Sequence, residues 1–173
     1  MKETKHAAPV TAVSSRHVLP LAQAAMIAAI YVVLTYLANA LGLANYAIQV
    51  RISEALTILP YFTPAAVPGL FIGCLLSNIL TGCALPDIVF GSLATLVAAI
   101  LTRKLRKNKW MAPLPPIAAN AIVVPFVLLY AYGVGPLWFT FLTVTAGEII
   151  SCGVLGMLLL FALQKYAGRL FSE

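Results

Sequence analysis

The sequence predicts an all-α integral membrane protein, a bundle of six transmembrane helices with both termini in the cytoplasm. The first reason is composition: of 173 residues 62% are apolar and only 9% charged. A soluble domain this small keeps too much of its surface in water to hide that apolar area, whereas lipid accepts it. The second is the placement of charge. The net charge is +6, yet Lys2, Lys5 and Arg16 precede the first apolar run, Arg103, Lys104, Arg106, Lys107 and Lys109 form one cluster, and Lys165 and Arg169 follow the last run. This is the positive-inside pattern with anionic lipid as a secondary attraction, and it argues against a nucleic-acid partner. The third is parity. With the N-terminus inside, the cluster at 103–109 must lie an even number of crossings away.

Apolar runs occupy Val18–Leu43, Pro64–Leu80, Asp87–Leu101, Pro116–Tyr132 and Leu137–Leu163. Three of them precede the cluster, so one more crossing is needed, and ISEALTILPYF (Ile52–Phe62) is the segment available for it. It is short against the roughly 20 residues of a full span. A short helix starting within the bundle, closed by Pro60 and Thr63-Pro64, meets the requirement. Two runs follow the cluster and return the chain to the cytoplasm. The expected organisation is a polar tail at 1–17, a membrane domain at 18–168 and a short cytoplasmic tail at 169–173. Ala38-Asn39-Ala40 looks like a signal-peptidase site, but the run before it exceeds the roughly 7–15 residues of a signal core, so the segment reads as a retained span. Pro115 and Pro116 open the fifth helix, where a missing amide is tolerated. Tyr132-Gly133-Val134-Gly135-Pro136 forms the tight outer turn before the sixth.

Cys74, Cys83 and Cys152 are odd in number, lack CxxC spacing and have apolar neighbours, so they read as packing residues and not as metal ligands or a disulfide framework. No metal or cofactor is expected. P-loop, HExxH and GxSxG motifs are absent, and both histidines fall in the N-terminal tail, so the chain carries no machinery of its own for ATP hydrolysis. Six short helices without an inverted repeat also make a poor secondary transporter.

The polar residues are unevenly spread in depth. Gln49, Arg51 and Glu54 lie at the outer end of the short second helix, Asn78 near the outer end of the third, Asp87 at the outer start of the fourth, and Trp138 at the outer start of the sixth. Glu148 follows ten residues deeper, about 15 Å at helical rise. Ionisable groups at membrane depth are costly unless they face a cavity or a partner, and this gathering reads as an outward-facing substrate pocket. Structural alternatives stand beside it: Glu148 paired with Arg51, Arg51 paired with Glu54 on one helix face, Asp87 stabilising free amides at a helix start after Pro86, Asn78 satisfying backbone near Gly82, and Trp138 and Trp110 as interfacial anchors. Asn120 reads as an interhelix hydrogen bond. In the first helix Ala24/Ala28 and Ala25/Ala29 make overlapping small-xxx-small spacings, either internal packing or a docking face for another membrane subunit.

QVRISEALTILPYFTPAAVPGLFIGCLLSNIL, DIVFGSLATL, APLPP and AGEIISCGVLG resemble the QueT family, whose members resemble the substrate-binding S components of energy-coupling factor (ECF) transporters. The resemblance runs over roughly residues 19–168, and VRISEALT and DIVFGSLATL are its specific stretches; Cys83-Ala84-Leu85 stands where a Gly/Asn-rich turn is expected. It implies uptake of queuosine precursors or related 7-deazaguanines in a bacterial plasma membrane, with a transmembrane coupling subunit and two cytoplasmic ATPase subunits supplied by other chains. It also implies that the alanine-rich first helix docks on the coupling subunit and that the S component topples to carry its ligand inward. A guanine-like edge suits a carboxylate such as Glu148 or Glu54, its carbonyl suits Arg51, Asn78 or Gln49, and a flat ring gains from stacking on Trp138. An S component for another vitamin or purine is the alternative; from a different class, a small intramembrane enzyme would use Glu148 and Asp87 as acid and base.

Overall fold

The computed structural model describes residues 15–42 and 50–170, and among them every regular element is helical. Helix α1 (Ser15–Ala40) leads to a 3₁₀ segment (Ile52–Tyr61), then α2 (Ala66–Leu80). A π turn (Asp87–Gly91) runs directly into α3 (Ser92–Lys104), and a short 3₁₀ turn (Lys109–Met111) precedes α4 (Leu114–Tyr132). Helix α5 (Leu137–Glu148) continues through a second π turn (Ile149–Leu155) into α6 (Gly156–Gln164), and α7 (Ala167–Leu170) closes the described chain. Val18–Ala40, Lys109–Tyr132 and Leu137–Gln164 are long and apolar enough to cross a membrane, and Ala66–Leu80 is apolar but shorter. Large apolar side chains such as Leu21, Leu85 and Leu158 stand exposed on the outside, the surface expected of a chain solvated by lipid.

The expected apolar runs become helices with shifts of a few residues at their ends; Leu43 lies outside the described residues. The turn at 133–136 forms as the glycines require. Gly133 (φ 64°) and Gly135 (φ 52°) take the left-handed conformation, and the amides of Gly133 and Val134 close on the carbonyls of Leu129 and Leu128, a glycine cap on α4.

The segment between α1 and α2 departs from ordinary helix. It winds as 3₁₀ over ten residues, an unusual length for that geometry. At a rise of about 2 Å per residue it covers about 20 Å, against about 15 Å for the same residues in α-helix. Its residues Ser53–Pro60 are all buried, because α1, α2, α3, α6 and the second π turn surround it. Ile58, Leu70, Leu160 and Ala66 fill the core around it. Gly156 permits this approach: a β-carbon there would come within 3.1 Å of Ile58.

Helices α1 and α2 pack closely through small residues. A β-carbon added at Gly69 would lie 2.7 Å from the Ala24 carbonyl oxygen, and one at Gly73 would lie 2.8 Å from Cβ of Tyr31 and 3.1 Å from Cα of Ala28. The Ala24/Ala28 spacing is therefore used inside this chain, where both residues are buried. This corrects the expectation that Ala24 and Ala28 dock another subunit. Ala25 and Ala29 lie on the exposed side of the same helix.

At the end that carries the basic cluster, Arg103 and Lys104 occupy the last turn of α3. Trp110 lies edge-on to Phe161 at 5.7 Å, with the Lys109 ammonium over the Phe161 ring, an aromatic and basic belt typical of a membrane interface.

Candidate functional site

A cavity of about 420 Å³ opens between α1, the start of the 3₁₀ segment, the α2–α3 connection and the end of α4. Its volume falls in the range of small-ligand sites. Arg51 and Ser53 reach it from one side, Ser77, Asn78, Thr81 and Asp87 from another, Tyr31, Thr35 and Asn39 from α1, and Leu128, Tyr132 and Val134 from α4 and its turn. Polar donors and acceptors thus face aromatic and aliphatic walls.

Asp87 is held in place at the cavity edge. The Tyr132 hydroxyl donates to its Oδ2 at 3.2 Å and accepts from the Ala84 amide at 2.8 Å, tying α4 to the α2–α3 connection. Its Oδ1 is buried with no hydrogen-bond partner, although the residue is 5% exposed. Asp87 also lies in the first turn of the helix it begins, where a carboxylate complements the free amides. Asn78 donates at 3.4 Å to the Asp87 carbonyl and leans on the Cys74 sulfur. Gly91 keeps room for both, since a β-carbon there would approach Asp87 Oδ1 at 3.2 Å and Asn78 Nδ2 at 3.4 Å.

Arg51 is half-buried and precedes the 3₁₀ segment in extended conformation (φ −100°, ψ 101°). Its carbonyl accepts the first hydrogen bond of that segment from the Glu54 amide at 3.0 Å, while its side chain forms no ion pair with a carboxylate of the described residues. Its amide donates to Ser151 Oγ at 3.1 Å, which joins the segment to the second π turn.

Behind the Tyr31 wall lies a second polar group. Glu54, 1% exposed, accepts a hydrogen bond from the Tyr31 hydroxyl at Oε1, while its Oε2 has no partner. Glu148, 5% exposed, accepts from Asn120 Nδ2 at 3.1 Å and from the Cys152 thiol at 3.2 Å. Thr57 donates to the Cys152 sulfur at 3.4 Å. One ligand atom from each of Glu54, Glu148 and Cys152 lies within 4.8 Å of the others. The Cys152 thiol reaches both Glu148 Oε2 at 3.2 Å and the Glu54 carbonyl at 3.5 Å, so the trio forms one connected polar network.

The sequence profile described as QueT transporter matches residues 21–165. The chain belongs to the QueT transporter family. No curated protein and no solved structure matches it. The QueT match takes in every residue of the cavity and of the network behind it, and a transporter family accounts for the apolar helices as those of a membrane protein.

Set on this QueT-family fold, the expected site residues divide. Arg51, Asn78 and Asp87 line the cavity. Glu54 and Glu148 are not among its lining residues; they lie in the network with Tyr31, Asn120 and Cys152, with Oε2 of Glu54 left without a partner. Trp138 is not among the lining residues either. It stands 65% exposed at the start of α5, edge-on to Phe139 at 5.9 Å, away from the cavity-lining set. Gln49 lies outside the described residues. Sequence reasoning missed Tyr31 and Thr35 as cavity residues. Both sit on the α1 stripe that includes Ala24, Ala28 and Ala38, and hydroxyls on an otherwise small and apolar helix face were the signal available.

Proposed function

We propose that this chain is the substrate-capture S subunit of an ECF-type importer, binding a queuosine precursor or related 7-deazaguanine from the extracellular side for ATP-driven uptake. On this reading the chain crosses the bacterial plasma membrane six times, with both termini in the cytoplasm and the cavity facing out. It is not an enzyme; a transmembrane coupling subunit and two ATPase subunits on other chains supply the energy. The observation that carries the reading is the cavity itself, lined by Arg51, Asn78 and Asp87 together with Tyr31 and Tyr132. A planar heterocycle with N–H donors on one edge and a carbonyl on the other suits that set, the donors meeting Asp87 and the carbonyl meeting Arg51 or Asn78. Ala25 and Ala29, exposed on α1, present the small-residue face for the coupling subunit.

Ligand titration of the purified protein with 7-aminomethyl- and 7-cyano-7-deazaguanine, guanine and several vitamins tests the reading. Tight binding of a deazaguanine with weak binding of the vitamins is the expected result. Tight binding of a vitamin with no deazaguanine binding would replace the substrate while leaving the capture role intact.

A further inference from the structure

We propose that the groove between α1 and α6 is a binding site for one acyl chain of an anionic phospholipid, whose headgroup lies at the end of the bundle that carries the basic cluster. The groove has a volume of about 540 Å³. Met26 and Ile30 form one bank, Leu159 and Leu163 the other, and the 3₁₀ segment the floor. The floor is buried, whereas Met26 is 64% and Ile30 43% exposed. The groove therefore opens sideways, on helices that are long and apolar enough to cross a membrane.

Its dimensions choose the occupant. On α1 the lining runs from Gln23 to Leu34, about 16 Å at helical rise. That is close to half the hydrocarbon core of a bilayer, about 15 Å. A volume of 540 Å³ over that length leaves a width of about 6 Å. A helix with its side chains is about 10–12 Å across and does not enter; an extended hydrocarbon chain does.

Polarity gives the groove a direction. Gln23 is the only polar residue lining it. It stands at one end, where its Nε2 donates to the Leu170 carbonyl and its Oε1 accepts from the Thr63 hydroxyl, both at 3.2 Å. The floor and the second bank bring cations to the same end. Leu59 directly precedes Pro60 and Tyr61, whose carbonyls accept from the Arg103 guanidinium, and Leu163 lies two residues before the exposed Lys165. At the other end the lining is Leu34 and Ile52. A molecule seated here is apolar along its length and meets polar and cationic groups at one end. An anionic phospholipid in a single leaflet has that form.

Native mass spectrometry of the protein purified from its membrane in mild detergent tests this. The expected result is about one retained phospholipid per chain, with phosphatidylglycerol enriched over phosphatidylethanolamine relative to the membrane of origin. Ile30→Trp fills the groove and should abolish retention. Val97→Trp, on the exposed surface of α3 and outside the groove, should leave it as it was. Absence of phospholipid from the unsubstituted protein would overturn the proposal, and this outcome needs no variant to fold. Retention that survives Ile30→Trp, or that is lost equally in Val97→Trp, would do the same, as would a retained lipid with no anionic enrichment. A photoreactive residue at position 30, illuminated in native membranes, should capture phospholipid; capture of a protein chain in its place would give the groove to a partner and overturn the lipid assignment. No transport ligand enters these measurements, so their failure leaves the capture reading intact, and failure of that reading leaves them intact.

Discussion

Asp87 is the carboxylate with most to gain from a ligand, since one oxygen is fixed by Tyr132 and the other is buried without a partner. Removing its charge takes away a charge-assisted contact, which contributes about 1.5–3 kcal/mol. Asp87→Asn is therefore expected to weaken binding of 7-aminomethyl-7-deazaguanine by roughly ten- to a hundredfold and to weaken the neutral 7-cyano compound less, as calorimetric titration of both would reveal. Equal losses would mean that Asp87 recognises the ring and not the cation. At this scale the sequence was informative about residue type and poor about direction. Arg51, Asn78 and Asp87 were legible as cavity residues because a polar group at that depth has few other uses. Glu54 and Glu148 looked equivalent to Asp87, because depth along a helix does not say whether a neighbour's hydroxyl, amide or thiol already occupies the carboxylate. Asn120 was legible as an interhelix hydrogen bond; its partner, Glu148, was not.

The elements show the same division between pattern and geometry. The alanine spacing in α1 announced a close helix contact, and the structure assigns half of it inward, Ala24 and Ala28 against Gly69 and Gly73. Gly73→Ala would press a methyl group against Cβ of Tyr31, and overpacking of this kind costs about 1–3 kcal/mol. A lower thermal unfolding midpoint in detergent is expected, together with weaker ligand binding, because Tyr31 forms a wall of the cavity; an unchanged midpoint would show that α1 can move aside freely. On the other side of α1, Ala25→Leu meets open surface. It should leave ligand affinity unaltered and reduce uptake by cells that carry the complete transporter, whereas Ala28→Leu would damage the bundle itself. The winding of the helices was not legible. Nothing in the residue pattern distinguishes 3₁₀ from α over Ile52–Tyr61, or marks π turns at Asp87–Gly91 and Ile149–Leu155, since those geometries answer to packing against neighbours. Both π turns adjoin a buried carboxylate, Asp87 in one case and Glu148 in the other.

For the molecule as a whole, charge parity along the chain pointed to Ile52–Phe62, a segment that hydropathy alone would pass over, and the structure puts a buried helical segment there. The six crossings and the cytoplasmic termini belong to the proposed reading. The proposed orientation has a direct test in the native cysteines. Cys83 is half-buried on the cavity wall, while Cys74 and Cys152 are buried in the bundle. A membrane-impermeant thiol reagent applied to intact cells should label Cys83 alone, and bound ligand should slow the labelling by filling the cavity. Labelling only in inverted vesicles would reverse the orientation.

The ten-residue 3₁₀ segment bears on how the chain enters the membrane. It is enclosed on every side by other parts of the same chain, and much of that enclosure, α3, the second π turn and α6, is synthesised after it. A segment this short, carrying Glu54 and Ser53, has no favourable place in lipid by itself. Its burial on the α6 side therefore has to wait for α6, with Gly156 making the necessary room. A chain truncated before α6 would keep every cavity-lining residue, Tyr31 to Val134, but leave the segment that carries Ser53 uncovered on that side.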